Sequence, residues 1–415
     1  MSNYKSASER YAALGVDTSA AMKKLAEIPI SLHCWQTDDV GGFETSHGDP
    51  GGGLAVTGNF PGKARSLGEV RQDLEKAMSL IPGKLRVNLH ANYGDFEGKR
   101  VDRDQVEPAH FASWVEWAGQ QAISLDFNST FFAHPRADSG FTLSNTDRGI
   151  RDFWVEHSKR CREISAFLGA RQGNTCVHNV WIPDGSKDET VNRLLHRQLL
   201  EESLDRIFEK EMPAGTMTDA VESKLFGIGS ESFVVGSFEF YLGYAITRKK
   251  MLCLDMGHFH PTESVADKVS AVLLYLDRLL FHFSRGIRWD SDHVLTFNDP
   301  LKDLALELVR SGALGKSALA LDFFDASINR IGAYVTGTRA AQKALLYALL
   351  EPTGMLRQLE QEGRLFERLA LLEEMKTMPF GDVWDQYCEM QNVPPADKWI
   401  AGVMQYEKEI LATRY

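Results

Sequence analysis

The stretch ALALDFFD, residues 318–325, alternates small and large apolar side chains and then ends on charge. Successive side chains of a β-strand point to opposite faces. Ala318, Ala320 and Asp322 therefore share one face, and Leu319 and Leu321 the other. A strand apolar on both faces, with a carboxylate at its C-terminal end, suits a parallel barrel: inner residues fill a core, and chemistry gathers at the C-terminal rim. Seven further β-rich runs accompany it: IPISLHCW (28–35), LRVNLHANY (85–93), AISLDFN (122–128), TCVHNVWIPDG (175–185), AVESKLFG (220–227), MLCLDMGHF (251–259) and LLFHFSR (279–285). The same alternation puts Ser31, His33 and Trp35 on one inner face, as it does Asn88 with His90. It groups Ser124, Asp126 and Asn128, and pairs Glu222 with Lys224. Segments of helical periodicity, such as SLGEVRQDLEKAMSLI and TVNRLLHRQLLEESLDRIFEKEM, separate most of the runs. Strand–helix alternation repeated this often predicts an α/β fold closed into a (β/α)8 TIM barrel. An open doubly wound sheet usually carries a glycine-rich first turn, which is missing here.

Outside the barrel the pattern changes. Residues 1–27 read as one helix leading into the first strand, residues 28–340 as the barrel domain, and residues 341–415 as a helical extension. Leu345, Leu346, Leu349 and Leu350 form an apolar stripe at helical spacing, expected to contribute to a subunit interface. A loop spans about residues 38–65, with eight glycines between Gly41 and Gly62. It leaves the rim where the charged residues gather, so it is a candidate lid.

Bulk properties exclude several classes. With 415 residues, 43% hydrophobic and 25% charged, the chain has the composition of an ordinary globular protein. A formal charge of −11 opposes a phosphate-backbone binder, which needs a basic face. Neither nucleic acid nor a membrane is an expected partner. The most apolar stretch, VSAVLLYLDRLLFHF, is broken by Asp277 and Arg278, short of the ~20 residues of a membrane span. The five cysteines are odd in number and widely spaced, without a CxxC pair. They read as buried, reduced thiols of a cytoplasmic protein. GNFPGKAR (58–65) imitates a phosphate loop. Only three residues separate its glycines, and Ala64 occupies the place of the metal-binding hydroxyl.

Metal-type ligands recur at the predicted strand ends. They are Glu222, Asp255 and His258 in LDMGH, His282 in LLFHFS, Asp290 and Asp292 in RWDSDH, and Asp322. Taken singly, several could be polar turns or hydrogen-bonded core groups. Carboxylates converging on one barrel mouth would repel one another without cations. Oxygen and nitrogen ligation without thiolate points to Mn²⁺, Mg²⁺, Co²⁺ or Zn²⁺.

With LHCWQTDDVGGFE (32–44), GNFPGKAR, NVWIPDG (179–185), DAVESKLFGIG (219–229), LDMGHFHPTE (254–263), RWDSDH and LDFFDASINRI (321–331), the chain resembles the L-rhamnose isomerases along essentially its whole length. These are metal-dependent aldose–ketose isomerases of the xylose-isomerase-like barrel class. The resemblance implies isomerisation of L-rhamnose to L-rhamnulose in rhamnose catabolism, a preference for Mn²⁺, a cytoplasmic location and a homotetramer. It implies a first metal on Glu222, Asp255, His282 and Asp322. A second would sit on His258, Asp290 and Asp292, with Asp255 bridging the two.

Two such ions would polarise the sugar carbonyl for a 1,2-hydride shift, with an enediol route as the other possibility. Lys224 is a candidate donor to O1 or O2, or a structural ion-pair partner. His90 is a candidate for ring opening and Asp292 a further catalytic group. Trp35, Phe131 and Trp181 either stack on the sugar and its C6 methyl or fill the core. Asp322 also counts among the substrate-binding residues. Competing functions are an isomerase or epimerase of another aldose, a barrel metallo-endonuclease, which the negative charge opposes, and a sugar-binding barrel, which needs no pair of ions.

Overall fold

Eight parallel strands close on one another in chain order in the computed structural model, which describes residues 3–44, 54, 56–225, 229, 231–288 and 290–414. They are β1 (Ile30–His33), β2 (Leu85–His90), β3 (Ser124–Asn128), β4 (Cys176–Val180), β5 (Met217–Glu222), β6 (Met251–Asp255), β7 (Leu279–Phe283) and β8 (Ser317–Leu321). Closure is completed where Ile30 of β1 lies opposite Leu319 of β8. Each run expected to form a strand contains one.

The strands end earlier at the rim than the runs suggested. Trp35 sits in a 3-10 turn, Cys34–Gln36, that follows β1. β5 starts at Met217 and stops at Glu222, so Lys224 lies beyond it, its backbone N–H donating to the Gly236 carbonyl at 3.1 Å. The ladder stops where polar side chains must turn into the mouth, and the rim loops supply the next hydrogen bonds.

The two faces of the strands divide as the alternation requires. Outward residues, among them Leu32, Val87, Leu125, Phe127, Leu252, Leu254, Phe281 and Leu321, are buried against the surrounding helices. Each such side chain contributes roughly 1.5–3 kcal/mol on leaving water. The inner face is split. From β4 to β8 it is an apolar plug of Val177, Ala220, Met251, Cys253, Leu280 and Ala320, with Ala318 against it. From β1 to β3 it is polar: Ser31 Oγ donates to Asp126 at 2.8 Å, and the Asn128 amide donates to Asn88 at 2.7 Å.

Two helices, not one, precede the barrel: Tyr4–Ala12 and Thr18–Glu27. The break follows from Gly15, at φ +76°, and from Asp17. Its carboxylate accepts from the Ser19 and Ala20 N–H groups at 2.8 and 3.0 Å and caps the second helix, worth about 1 kcal/mol.

At the other end the helix Arg330–Leu349 runs unbroken through residue 340. Leu345, Leu346 and Leu350 on the anticipated interface stripe are buried within this chain, and Leu349 is partly so. Their helix packs chiefly against the preceding helices Asp299–Arg310, Thr18–Glu27 and Leu67–Met78, and less against two of those that follow, so this stripe is core. The helices that follow return to the barrel wall. Arg414 pairs with Asp73 at 2.7 and 2.8 Å, and the Tyr406 hydroxyl donates to the same carboxylate at 2.6 Å. No helix among the described residues is long and apolar enough to cross a membrane.

Both glycines of GNFPGKAR answer to packing. A β-carbon on Gly58, at φ +108°, would lie 2.3 Å from the Ser327 backbone nitrogen; one on Gly62 would lie 2.5 Å from the Leu411 side chain. The 38–65 segment is anchored at both ends by buried Arg330, which binds Asp39 at 2.7 and 2.8 Å and the Phe60 carbonyl at 2.7 Å. Residues 45–53 and 55, where a lid would have to act, lie outside the described residues.

Candidate metal centre and cavity

A cavity of about 520 Å³ opens over the C-terminal ends of the strands. Its wall carries Trp35 and Val40 after β1, His90 of β2, Asn128, Ser129 and Phe132 at the end of β3, and Asn179 and Trp181 from β4. Glu222 and Lys224 of the β5 end, His258, His282, Asp322, Phe324 and Leu54 complete it.

The deepest part holds four convergent side chains. One ligand atom from each of Glu222, Asp255, His282 and Asp322 lies within 4.8 Å of all the others. They arise from four consecutive strands, and register brings them together: Asp255 of β6 lies opposite His282 of β7, which lies opposite Ala320, two residues before Asp322. His282 Nδ1 faces three carboxylates, with oxygens of Asp322, Glu222 and Asp255 at 3.1, 3.5 and 3.7 Å. Neither ring nitrogen of His282 completes a hydrogen bond, nor does Glu222 Oε1, although all are buried and Glu222 Oε1 lies 2.9 Å from His258 Nδ1. Buried polar atoms without partners are expensive. Ligands about 2.0–2.2 Å from one ion stand roughly 3 Å apart, so this donor set fits a divalent metal.

The surrounding groups orient the ligands. Asp255 Oδ1 accepts from the Gly257 N–H at 2.6 Å and the Ser284 hydroxyl at 2.9 Å. Its Oδ2 lies 3.7 Å from His282 Nδ1 and 4.0 Å from His258 Nε2. His258 Nδ1 sits 3.0 Å from the Ser223 carbonyl, which can only accept. Glu222 Oε1, also an acceptor, lies 2.9 Å from the same nitrogen, so Nδ1 carries a proton and Nε2 is the atom turned toward Asp255. Asn179 donates to Glu222 Oε2 at 2.5 Å, and Trp35 Nε1 to Asp322 Oδ1 at 3.2 Å.

The imidazoles and burial together set the charge of these groups. Burial alone would raise the Glu222 carboxyl, but the imidazoles of His282 and His258 hold it well below the usual range. Burial is likewise outweighed at Asp322 by His282, and that carboxyl is lowered. Asp255 is pushed up to about 6, chiefly by burial and by the charges of Asp322 and Glu222, against the lowering effect of His258. Burial opposes charge on His282, but Cys253 and Glu222 raise it well above the ordinary histidine value.

The other expected residues divide. Lys224 Nζ lies 4.1 Å from the centre of the Trp181 ring, so both face the cavity together. His90 Nδ1 is 3.0 Å from the Thr130 hydroxyl, and burial lowers the ring to about 3, keeping it neutral. The Trp35 ring packs edge-on against His90, 4.6 Å between centroids. Phe131 does not reach the cavity; fully buried, it packs on Trp154 and His157, because the turn after β3 directs its neighbour Phe132 inward instead. Asp290 and Asp292 fall on the strand Asp290–His293, paired with Arg285–Ile287 just after β7; their side chains lie outside the described ones.

Asn179 and Cys253 went unnoticed in the sequence, although the period of two reaches both. Asn179 is two residues before Trp181, and Cys253 two before Asp255.

Comparison with known proteins agrees along the whole chain. It is 55% identical over 411 residues to L-rhamnose isomerase of Rhodopirellula baltica, covering 99% of this chain and 96% of that one. With the Bacteroides thetaiotaomicron L-rhamnose isomerase the identity is 56% over 411 residues, covering 99% and 98%. Among solved structures, an L-ribulose 3-epimerase is similar with a TM-score of 0.46 and 12% identity, over 80% of this chain and 97% of that one. The profile of the family L-rhamnose isomerase (RhaA) matches residues 1–414, and the chain belongs to that family.

Proposed function

We propose that this chain interconverts L-rhamnose and L-rhamnulose at the β-barrel mouth, using two divalent metal ions. The observation that carries the reading is the convergence of buried Glu222, Asp255 and His282 with half-buried Asp322, in a chain of the L-rhamnose isomerase family. These four would hold the first ion. His258, through Nε2, would hold the second together with Asp290 and Asp292. Asp255 would be the shared ligand, as its Oδ2 lies 3.7 Å from His282 Nδ1 and 4.0 Å from His258 Nε2. The family resemblance favours Mn²⁺ over Co²⁺, Zn²⁺ or Mg²⁺, and the oxygen-rich donor set is compatible with it. A bound pair of ions supplies Lewis-acid polarisation of the oxygens on C1 and C2, the setting for a 1,2-hydride shift.

The chain's own residues then have distinct tasks. Lys224, braced over Trp181, donates to O1 or O2. His90, neutral and hydrogen-bonded to Thr130, exchanges a proton with the ring oxygen during opening. Trp35 is fixed by Asp322, and with Trp181 and Phe132 it offers apolar surface to the C6 methyl and excludes water.

The reading extends to a cytoplasmic enzyme of rhamnose catabolism. Its barrel would be the catalytic domain, flanked by helical extensions before residue 28 and after Leu349. It would assemble as a homotetramer. Support for assembly comes from the helix Leu365–Met375, where Leu365, Phe366 and Leu369 are 55%, 80% and 58% exposed.

The deciding assay measures ketose formation from L-rhamnose before chelation, after chelation, and after Mn²⁺ is restored. Activity lost and regained supports the reading. Turnover untouched by exhaustive chelation, or nucleic-acid cleavage without ketose formation, overturns it.

A further inference from the structure

Directly below the four-ligand set, the barrel places a thiol among groups able to bind metal. Cys253 lies opposite Glu222 in the β5–β6 register, on the inner face two residues before Asp255. One ligand atom from each of Glu222, Cys253 and His282 lies within 4.8 Å of the other two. Cys253 is fully buried and belongs to the apolar plug, so its sulfur marks the boundary between the dry core and the polar chamber. Neither His282 nitrogen completes a hydrogen bond, and Glu222 Oε1, though 2.9 Å from His258 Nδ1, completes none either; both residues are 2% exposed. Among the described residues no other cysteine joins a group of this kind.

We propose that Glu222, Cys253 and His282 form a thiolate-containing ion position, overlapping the oxygen-rich one and selective for soft or borderline divalent cations such as Cd²⁺. The inference rests on reading Glu222 and His282 as metal ligands, and it adds a choice of metal. Those two side chains serve either position. An ion held by them completes its shell upward with Asp255 and Asp322, or downward with the sulfur. Carboxylates suit hard ions such as Mn²⁺ and Mg²⁺, whereas thiolate favours Cd²⁺ and Zn²⁺. As the metal–sulfur bond forms, the Cys253 S–H bond breaks and its proton leaves to solvent, with no redox change. Occupation of the lower position removes two ligands from the upper one, so a soft ion displaces the ion that the proposed isomerisation uses.

The test uses the full-length protein, stripped by chelation and titrated with Cd²⁺ alone. The expected result is a saturable ultraviolet charge-transfer band from one cadmium–thiolate site per subunit. The band disappears in both C253A and C253S and survives in D322N, because Asp322 serves only the upper set. Circular dichroism melts confirm that each variant is folded, and C253A and C253S back each other up if one fails. In protein loaded with Mn²⁺, the Cd²⁺ concentration that releases half the manganese, read by electron paramagnetic resonance, rises at least about tenfold in C253A. No band in the wild type, a band unchanged in C253A, or its loss in D322N overturns the proposal. A protein that lacks the band yet shows chelator-sensitive, Mn²⁺-restored isomerisation refutes the thiolate position alone. A protein that binds neither ion refutes both readings.

Discussion

Both mouths of this barrel are polar, and each contains buried carboxylate, but they differ in how the charge is met. At the N-terminal mouth Asp126 is fully paired. Arg86 grips it with two bonds of 2.8 Å, the Ser31 hydroxyl donates at 2.8 Å, and the Val177 N–H at 2.9 Å. At the C-terminal mouth Glu222, Asp255 and Asp322 converge on His282, and neither His282 nitrogen nor Glu222 Oε1 completes a hydrogen bond. A protein solves the first problem with its own cation and leaves the second for something from outside. Residue type alone therefore does not separate structure from function; hydrogen-bond satisfaction does.

Breaking each mouth should give opposite phenotypes. Replacing Glu222 with Gln removes a ligand charge and should lower kcat by at least about 10³-fold, roughly 4 kcal/mol of transition-state stabilisation. Replacing Asp126 with Ala strands Arg86 and should cost about 3 kcal/mol of stability. The kcat of its folded fraction should stay within a factor of two or so of wild type, because no reacting group is touched. Urea unfolding alongside steady-state kinetics reads both. An unstable E222Q with full activity, or a stable D126A without it, would reverse the comparison.

A smaller effect is expected one shell away. Asn179 holds Glu222 Oε2 at 2.5 Å, and its own Oδ1 is buried without a partner. Partners of ligands commonly contribute 10–100-fold to metal affinity. Asn179→Ala should therefore weaken Mn²⁺ binding by about 10–100-fold, with kcat partly restored at saturating metal. Unchanged affinity by calorimetry would mean that Glu222 is held by its strand alone.

The contrast also explains what the sequence disclosed. The period of two in ALALD and LCLD was enough to find the strands and to put Glu222, Asp255, His282 and Asp322 at one rim, while the family resemblance singled out these four as a set. Inner-face position is a local property of the chain. Phe131 could not be separated from Phe132 in the same way, since both follow the end of β3, where the period lapses and a turn decides direction. The stripe at Leu345 and Leu346 looked uncovered because its partners come from helices whose packing no local pattern encodes. Asp126 and Glu222 read alike as inward carboxylates. Only the arrival of Arg86 from the neighbouring strand distinguishes them.

Surface predictions test assembly. Changing Phe366 and Leu369 to Ser removes apolar area that this chain leaves exposed. Sedimentation should show smaller species with unchanged melting of the individual subunit. An unaltered sedimentation coefficient would place the interface elsewhere.

Asp38 offers a third way to meet a buried charge, and the smallest expected effect. It lies just after the turn that follows β1, accepting from the Tyr93 hydroxyl at 2.6 Å and the Gly42 N–H at 2.7 Å. Burial outweighs these bonds and pushes its carboxyl from 3.8 up to about 7. A proton thus does for Asp38 what Arg86 does for Asp126. Because the folded state holds that proton more tightly than the unfolded one, stability falls as pH rises from near 3.8 through about 7, then levels off. Asp38→Asn does not titrate, so the difference in unfolding free energy between wild type and D38N should shift against the wild type over that window and stay constant above it. Urea unfolding at intervals from pH 5 to pH 9 measures the difference directly. A difference that grows in favour of the wild type with rising pH would mean that Asp38 is charged when folded and owes its place to a cation, as Asp126 does.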